Sequence, residues 1–213
     1  MLKKRMEFAK KYKNESIDFW EKCLFSDETY IYVNLNAVMN RVRRFKSSNP
    51  FGSQYVQKTS KYPLKILIWG CFSAKGIGRL QILDLYPNSR KYLEVMQNKL
   101  LPTFQEHGNI EFHLDDSAKT HRSKEVLKWH SNNNIQKIDW PGNSPDLNPI
   151  ENLWAYIKNK IKRRVITNER NLITNLIRIW HHEIPDNYLK NLAHSMPSRL
   201  KKVIENKGGN TKY

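Results

Sequence analysis

A loop and the start of a helix meet in one stretch of the chain, Ser144-Pro145-Asp146-Leu147-Asn148-Pro149-Ile150-Glu151-Asn152-Leu153-Trp154. The loop, from residue 140 to 145, is rich in proline, glycine, asparagine and serine, which favour turns. Asn148 suits the N-cap of a helix and Pro149 suits its first position. Glu151 then lies in the first turn, where the helix dipole favours a negative charge. The stretch therefore predicts a carboxylate held at a fixed place after a rigid loop.

Hydrophobic patterns on both sides of this stretch predict alternating strands and helices. Runs rich in β-branched and aromatic residues predict strands at residues 23–25, 30–33, 64–72, 79–85, 110–114 and 135–139. Apolar positions at helical spacing predict helices at residues 1–22, 90–101, 123–132, 172–180, 188–195 and 197–206. Pro102 is expected to end the second helix. Residues 34–63 are polar and basic, which indicates a long surface loop or an irregular hairpin. Alternating elements in the second half indicate parallel strands covered by helices.

The charge of the chain is strongly positive and unevenly distributed. Its 213 residues include 37 basic and 20 acidic side chains, which gives a net charge of +17. Residues 41–65 hold seven basic groups and no acid, and residues 155–213 hold thirteen basic groups and four acids. Two basic segments around a neutral centre are typical of a protein with a nucleic-acid partner. Charge that serves only solubility is the alternative.

The composition predicts one folded domain with appendages. Six Trp, ten Tyr and eight Phe are enough to build a core. Cys23 and Cys71 lack metal-ligand spacing, so we expect reduced thiols in the core. No apolar run approaches the length of a membrane span, and the lysine-rich start does not match a signal peptide. We therefore expect a soluble intracellular protein without a membrane partner.

Three carboxylates fall where strands end or helices begin, which is where functional groups gather in an α/β sheet. Asp27 ends or interrupts the first strand, Asp116 follows the strand at 110–114, and Glu151 opens a helix. Three acids brought together would repel one another unless cations bind them. Hard oxygen ligands suit Mg²⁺ or Mn²⁺. Two such ions can activate an attacking oxygen and stabilise the leaving one in phosphodiester cleavage.

Four motifs carry a resemblance to a known family. They are Phe25-Ser26-Asp27-Glu28, Ile68-Trp69-Gly70-Cys71-Phe72-Ser73, Asp116-Ser117-Ala118-Lys119-Thr120-His121 and residues 140–154. These motifs resemble the catalytic domain of Tc/mariner-superfamily transposases. The resemblance implies an RNase H-like α/β fold, with a mixed sheet of three antiparallel and then two parallel strands, flanked by helices. We expect residues 1–165 to form the catalytic domain, with a basic loop at 34–63, and residues 166–213 to form its C-terminal helical extension.

The resemblance also implies an Asp-Asp-Glu triad that holds two Mg²⁺ or Mn²⁺ ions, formed by Asp27, Asp116 and Glu151. Asp115 competes with Asp116 for the second position. The family places a histidine five residues after that acid, and His121 stands five residues after Asp116. The second and third acids enclose 34 residues, 117–150, and the third acid is Glu, as in the Tc branch of the superfamily. Glu28 is interpreted as an adjacent structural group.

Cut-and-paste DNA transposition is the function that the resemblance implies, with cleavage at transposon ends and strand transfer into a TA target. Double-stranded DNA is then the partner, two copies pair as a homodimer in a paired-end complex, and the location is nuclear. The family's N-terminal helix-turn-helix modules are not found in the sequence, so we expect an excised catalytic domain or the product of a truncated element. Alternatives are a decayed or domesticated remnant that binds DNA without turnover, which the unusual Ser117-Ala118-Lys119 favours, and a nuclease that is not a transposase.

Basic residues in the two positive segments are the candidate contacts to DNA phosphates: Arg41, Arg43, Arg44, Lys158, Lys160, Lys162, Arg163 and Arg164. Other prominent side chains have two interpretations or a simple one. His121 either contacts a phosphate or metal-bound water, or serves the scaffold. His181 and His182 are adjacent and so point to different sides of a helix, which predicts surface residues. The large aromatic residues are expected to anchor the core and the loop: Trp69, Trp140 and Trp154.

Overall fold

Five strands form one mixed sheet in the computed structural model, which describes residues 1–33, 49, 63–83, 88–116 and 118–213. The strands are β1 (Cys23–Val33), β2 (Leu64–Ser73), β3 (Gly76–Leu83), β4 (Phe112–Leu114) and β5 (Gln136–Lys137). Their order across the sheet is β3-β2-β1-β4-β5. β1, β2 and β3 pair antiparallel, whereas β4 pairs parallel with both β1 and β5. The predicted mixed sheet is confirmed.

Helices cover both faces of the sheet. They are α1 (Leu2–Tyr12), α2 (Ile17–Glu21), α3 (Ser89–Val95), α4 (Leu101–His107), α5 (Lys124–Asn132), α6 (Ile150–Lys162), α7 (Glu169–His182), α8 (Asp186–His194) and α9 (Met196–Glu205). A π turn at Met96–Leu100 joins α3 to α4, and short 3-10 turns lie at Thr120–Arg122 and Pro145–Leu147. The helices predicted after residue 123 are confirmed.

One helix over residues 1–22 was predicted, and that prediction is wrong. α1 ends at Tyr12, and Ser16 begins α2 by accepting a hydrogen bond from the Phe19 amide at 3.2 Å. A serine hydroxyl that binds nearby backbone groups favours a helix start over a helix interior. The break lets the two helices pack separately against the same core, through Phe8 and Trp20.

The first strand is continuous, although the sequence predicted two strands separated by an acidic pair. Asp27 and Glu28 lie inside β1, because its register with β2 runs without interruption from Phe25 to Val33. Pairing with a full-length neighbour outweighs the low strand propensity of acidic residues. Asp27 therefore does not interrupt the strand, and its position is fixed by pairing with Gly70 of β2.

The helix predicted to end at Pro102 instead continues through it. α3 passes through the π turn into α4, in which Pro102 takes the second position. The first turn of a helical segment does not use the amide hydrogen that proline lacks. Propensity alone therefore placed the end of this helix too early.

Two hydrophobic clusters lie on opposite faces of the sheet. α1, α2 and α6–α9 pack on one face, and α3–α5 pack on the other. The predicted anchors are buried: Trp69, Trp140 and Trp154. Both cysteines are buried free thiols, as expected, and the adjacent histidines of α7 are exposed. Within the described ranges, no helix has the length and apolar character needed to cross a bilayer.

Candidate active site

Asp27 and Asp116 come together because their strands are neighbours. The last paired residues of β1 and β4 are Phe25 and Leu114. Parallel strands advance in the same direction, so two residues further along each chain the same register reaches Asp27 and Asp116. β4 ends at Leu114 while β1 continues to Val33. The topology therefore places Asp27 on β1 and Asp116 in the segment that follows the neighbouring strand β4.

Glu151 approaches Asp27 and Asp116 from the start of α6. The helix begins at Ile150, and Pro149 before it already has helical backbone angles. The Oδ1 atom of Asn148 accepts from the Ile150 amide at 3.4 Å, and its carbonyl accepts from the Glu151 amide at 3.2 Å. Asn148 thus binds the first amides of α6, but the N-cap position is Pro149, one residue later than the sequence predicted. The cap and the following turn set the direction in which Glu151 leaves the helix.

Gly70 lets α6 and α7 approach the sheet beside Asp27, on the same face of the sheet. It is the residue of β2 that faces Asp27 across the antiparallel ladder. A Cβ atom at this position would lie 2.5 Å from Cη2 of Trp180 and 2.9 Å from Cη2 of Trp154. Trp154 lies one turn after Glu151, so the indole that packs on Gly70 also sets how far Glu151 enters the site.

One cavity of about 190 Å³ contains all three predicted acids. Asp27 is 9% exposed, and the loop before α6 forms the opposite wall. The lining residues are Asp27, Asp116, Trp140, Asn143, Ser144, Pro145, Asn148 and Glu151. The structure thus brings together side chains that are 89 and 35 positions apart in the sequence (from 27 to 116, and from 116 to 151).

Burial and mutual repulsion hold two of these carboxyl groups in an unfavourable environment. Burial is the largest cause of the strongly raised pKa of Asp27, and the charges of Glu28, Glu151 and Asp116 raise it further. Burial also raises the pKa of Glu151, against the opposing effects of the Lys158 charge and a hydrogen bond with Asp27. Burial and neighbouring negative charge therefore favour the neutral form of both carboxyl groups.

Asp116 differs because a histidine pairs with it. Burial would raise its pKa, but His121 Nδ1 lies 2.7 Å from its Oδ1 and holds the pKa below the usual value. His121 Nε2 lies 3.3 Å from Oε1 of Glu28. Burial opposes a charge on this imidazole, yet Asp116 and Glu28 raise its pKa to about 10. His121 is thus a buried cation between two acids. The sequence left the role of His121 open, and no local pattern identified Glu28 as its partner.

Asp115, the competitor for the second position, has a different environment. It is 1% exposed, and its Oδ2 accepts from Tyr92 Oη at 3.0 Å and from Lys137 Nζ at 2.8 Å. The Asp116 side chain is half exposed and lines the cavity. A carboxylate paired with lysine inside the protein serves the scaffold, so the geometry favours Asp116 as the second acid.

The donor set of the cavity fits hard divalent cations. Its acids offer carboxylate oxygens, which Mg²⁺ and Mn²⁺ prefer as ligands. The raised pKa of Asp27 supports the fit, because a bound cation would offset both the burial and the neighbouring negative charges that raise it. A nearby grouping places one ligand atom each of Glu28, Asp116 and His121 within 4.8 Å of one another. Asp116 belongs to both groups.

The family comparison agrees with this geometry. Residues 22–173, a range that includes all three acids, match the model of the DDE superfamily endonuclease family. The chain belongs to the DDE superfamily endonucleases. It is also 29% identical to the transposable element Tcb1 transposase of Caenorhabditis briggsae, over 99% of this chain and 77% of that relative. The predicted resemblance to Tc/mariner transposases is confirmed.

Solved structures show which fold this DDE endonuclease has. The catalytic domain of Mos1 mariner transposase superposes with a TM-score of 0.74 at 17% identity, over 99% of this chain and 95% of that one. The mariner Mos1 paired end complex with Mg gives a TM-score of 0.82 at 18% identity, over 99% of this chain and 63% of that one. The chain therefore spans less than two thirds of the Mos1 chain in that complex. The predicted RNase H-like fold is confirmed.

Several candidate DNA contacts of this DDE endonuclease make internal bonds instead. Lys158 Nζ donates to Thr29 Oγ1 at 2.7 Å, which ties α6 to β1 two residues beyond Asp27. Arg164 pairs with Glu183, and Lys160 Nζ lies 3.6 Å from the same carboxylate. Two candidates at the end of α6 are exposed, Lys162 and Arg163. Three others lie outside the described residues: Arg41, Arg43 and Arg44.

Asp146 is a structural acid that the sequence did not reveal. Arg5 donates to both of its carboxylate oxygens at 2.7 Å, and the Thr211 amide donates to one of them at 2.8 Å. Arg199 donates to the Asp146 carbonyl at 2.8 Å and to Oδ1 of Asn152 at 2.6 Å. α1, α9 and the C-terminal tail of the DDE endonuclease are thereby fastened to the loop that precedes α6.

Proposed function

We propose that the chain is the catalytic domain of a cut-and-paste DNA transposase of the Tc/mariner type, a metal-dependent nuclease and strand transferase. The observation that carries the proposal is the convergence of three carboxylates on one cavity in a DDE endonuclease fold. Each acid comes from a different element, so no local structural role accounts for their meeting. Like charges gathered in a buried cavity mark a functional site more often than a scaffold.

Asp27, Asp116 and Glu151 would hold two Mg²⁺ or Mn²⁺ ions. When bound, such ions activate an attacking oxygen and stabilise the leaving oxygen in phosphodiester cleavage and exchange. The chain fixes the positions of the acids, because Asp27 lies on a paired strand and Glu151 lies in the first turn of a helix whose amides are bound by Asn148. Because Asp27 is nearly withdrawn from water, its interactions with ions are stronger than they would be at the surface.

Double-stranded DNA is the proposed substrate, at transposon ends and at a TA target. Lys162 and Arg163, exposed at the end of α6, would contact phosphates with the basic segment at residues 41–65. Such contacts make affinity fall steeply with salt. In the assembly that we propose, two copies act as a paired-end homodimer on nuclear DNA. The description of one Mos1 structure as a paired end complex supports the paired-end part of this assembly. The complete cavity supports an enzyme over a remnant that only binds DNA.

Nicking of supercoiled plasmid by the purified chain tests this proposal, with Mg²⁺, Mn²⁺ or EDTA in parallel. We expect open-circular product with either metal and none with EDTA. Asp116→Asn should slow nicking more than about 100-fold, because losing a ligand exceeds the 10- to 100-fold effect of losing an outer-shell partner. Asp139→Asn is the control, since its side chain is 89% exposed and should change nicking little.

Two results would overturn the proposal in different ways. Nicking that persists in Asp116→Asn would show that the assigned carboxylates are not the active site. Salt-sensitive binding of plasmid without nicking under either metal would favour the DNA-binding remnant over the enzyme.

A further inference from the structure

His121 spans the gap between the two strands that supply the first and second acids. Its Nδ1 lies 2.7 Å from Oδ1 of Asp116, and its Nε2 lies 3.3 Å from Oε1 of Glu28. Glu28 directly follows Asp27 on β1, whereas Asp116 follows β4. One imidazole ring therefore connects the strand that carries the first acid to the segment that carries the second.

The ring of His121 is itself held firmly in place. Tyr92 stacks on it with ring centroids 3.9 Å apart and an interplanar angle of 21°. Lys137 Nζ donates to the His121 carbonyl at 2.8 Å and to Asp115 Oδ2 at 2.8 Å, and Tyr92 Oη donates to the same Asp115 oxygen. Side chain and backbone of His121 are thus fixed by one buried set of bonds around Asp115.

Asp116, in contrast, depends on few contacts. It stands outside regular secondary structure, and its side chain is half exposed. The Ala118 amide donates to its Oδ1 at 3.1 Å, and His121 donates to the same oxygen. Oδ2 receives a hydrogen bond from none of the residues that the structure describes. Oδ1 is therefore the oxygen that orients the carboxylate, and Oδ2 is the one left for a ligand.

We propose that His121 is a positioning residue that holds Asp116 at a fixed distance from β1 and so prepares the site for divalent cations. The inference rests on the proposed function, since it deepens the role of the same site. A side chain that orients a metal ligand changes metal affinity about 10- to 100-fold when it is removed. His121 acts through Asp116 and has no contact of its own with the substrate in this role.

Two carboxamide replacements separate the two bonds of His121. The amide nitrogen of His121→Asn lies near the former Nδ1 and keeps a donor for Asp116. The amide nitrogen of His121→Gln lies nearer the former Nε2 and keeps a donor for Glu28. Mn²⁺ affinity of the purified chain, measured by electron paramagnetic resonance, should fall about 10- to 100-fold in His121→Gln and less than about 10-fold in His121→Asn.

Glu28→Gln tests the second contact of His121, because its amide oxygen still accepts from Nε2 while the charge is lost. We expect Mn²⁺ affinity to fall less in Glu28→Gln than in His121→Gln. A larger fall would show that Glu28 binds the ion directly and would overturn the proposal. Equal affinity in wild type and both His121 variants would overturn it as well. Asp139→Asn is the control, because its side chain is 89% exposed, and its Mn²⁺ affinity should stay within about 3-fold of wild type.

Urea unfolding and metal-rescued nicking distinguish positioning from other roles. A merely structural role would lower the free energy of unfolding of both His121 variants and would not separate their affinities. A positioning role predicts that nicking by His121→Gln recovers at saturating Mn²⁺. A wild-type chain that binds Mn²⁺ but never nicks would contradict the proposed function and still leave this affinity comparison decisive for His121.

Discussion

Two carboxylates stand five residues apart in the Ser144–Trp154 stretch and have opposite electrostatic environments. Burial would raise the pKa of Asp146, but the Arg5 guanidinium and the Thr211 amide hold it below its usual value. Burial raises the pKa of Glu151, and Lys158 and the hydrogen bond with Asp27 do not offset it. The same short stretch thus contains a satisfied acid and an unsatisfied one.

The difference teaches which acids hold the fold together and which form the site. Asp146 has a bidentate arginine and a backbone donor, and it joins parts of the chain that are far apart. Asp27 and Glu151 face other acids across a cavity. A buried charge with excellent partners is a scaffold contact, whereas buried like charges are maintained only where a ligand completes them.

Asp146→Asn should have the largest effect on stability. The guanidinium of Arg5 is 1% exposed, so the variant leaves a buried cation without its counter-ion. Breaking such a pair costs about 3 kcal/mol of the free energy of unfolding, which lowers Tm by about 6–12 °C for a chain of this size. Urea and thermal unfolding measure both quantities. Asp139→Asn, at an exposed pair, should change stability by less than about 0.5 kcal/mol.

A loss below about 1 kcal/mol in Asp146→Asn, the size of an ordinary surface effect, would break the comparison. It would mean that the bidentate contact is replaced by water or by neighbouring groups. The satisfied acid would then be no more structural than the unsatisfied one.

Gly70→Ala should have a smaller effect on stability and should reach the unsatisfied acids without touching Asp146. The new methyl group would meet Trp180 at 2.5 Å and Trp154 at 2.9 Å, so α6 and α7 must shift. Overpacking of this kind costs about 1–3 kcal/mol. Because Trp154 moves with Glu151, Mn²⁺ affinity should fall as well, as measured by electron paramagnetic resonance.

A second substitution identifies the cause of that loss. Trp180→Phe removes the ring atoms that meet the new methyl group, so it should cost less in the Gly70→Ala background than in wild type. A double-mutant cycle measures this coupling, expected at about 0.5–3 kcal/mol for residues in contact. Strictly additive effects would show that contact between the new methyl group and Trp180 does not cause the loss of stability.

Much of the site could be predicted because its acids directly follow local sequence signals for strands and helices. Asn148 and Pro149 mark the start of a helix, strand patterns mark β1 and β4, and acids follow those signals directly. Parallel pairing then brings the marked positions together. The predictions that were wrong are those in which tertiary structure outweighed a local signal. Pairing with β2 keeps β1 continuous through Asp27, and the π turn lets the helix continue past Pro102.

Other features had no local signal that could reveal them. Arg5 and Asp146 are 141 residues apart, and nothing near either residue specifies the other. The charge count of the C-terminal segment could not show that Glu183 binds Arg164 or that Thr29 binds Lys158. A basic residue in the sequence is only a candidate contact until its internal partners are known.

Asp27→Asn should have the smallest effect on stability, with the opposite sign. Asn cannot ionise, so the variant avoids the cost of keeping Asp27 protonated in the fold at pH 7, a cost that comes from burial and from the charges of Glu28, Glu151 and Asp116. In EDTA at pH 7 the variant should be at least as stable as wild type, with a gain on the order of 1 kcal/mol. Nicking should nevertheless be lost. The measurement is urea unfolding, with Asp146→Asn run beside it.

The pH dependence of the two variants sharpens the contrast. The folded-state pKa of Asp27 is raised, so the folded wild type binds more protons than the unfolded chain above pH of about 4, and its stability falls as pH rises through that range. The gain in the free energy of unfolding of Asp27→Asn over wild type should therefore grow as pH rises from about 4.

The folded-state pKa of Asp146 is lowered, so its contribution to stability is complete above pH of about 4 and is lost as pH falls further. The difference in the free energy of unfolding between wild type and Asp146→Asn should therefore disappear in acid. If Asp27→Asn is instead the less stable protein at pH 7 in EDTA, then the charge at Asp27 is satisfied by the fold, and the distinction between a structural acid and a site acid does not hold in this chain.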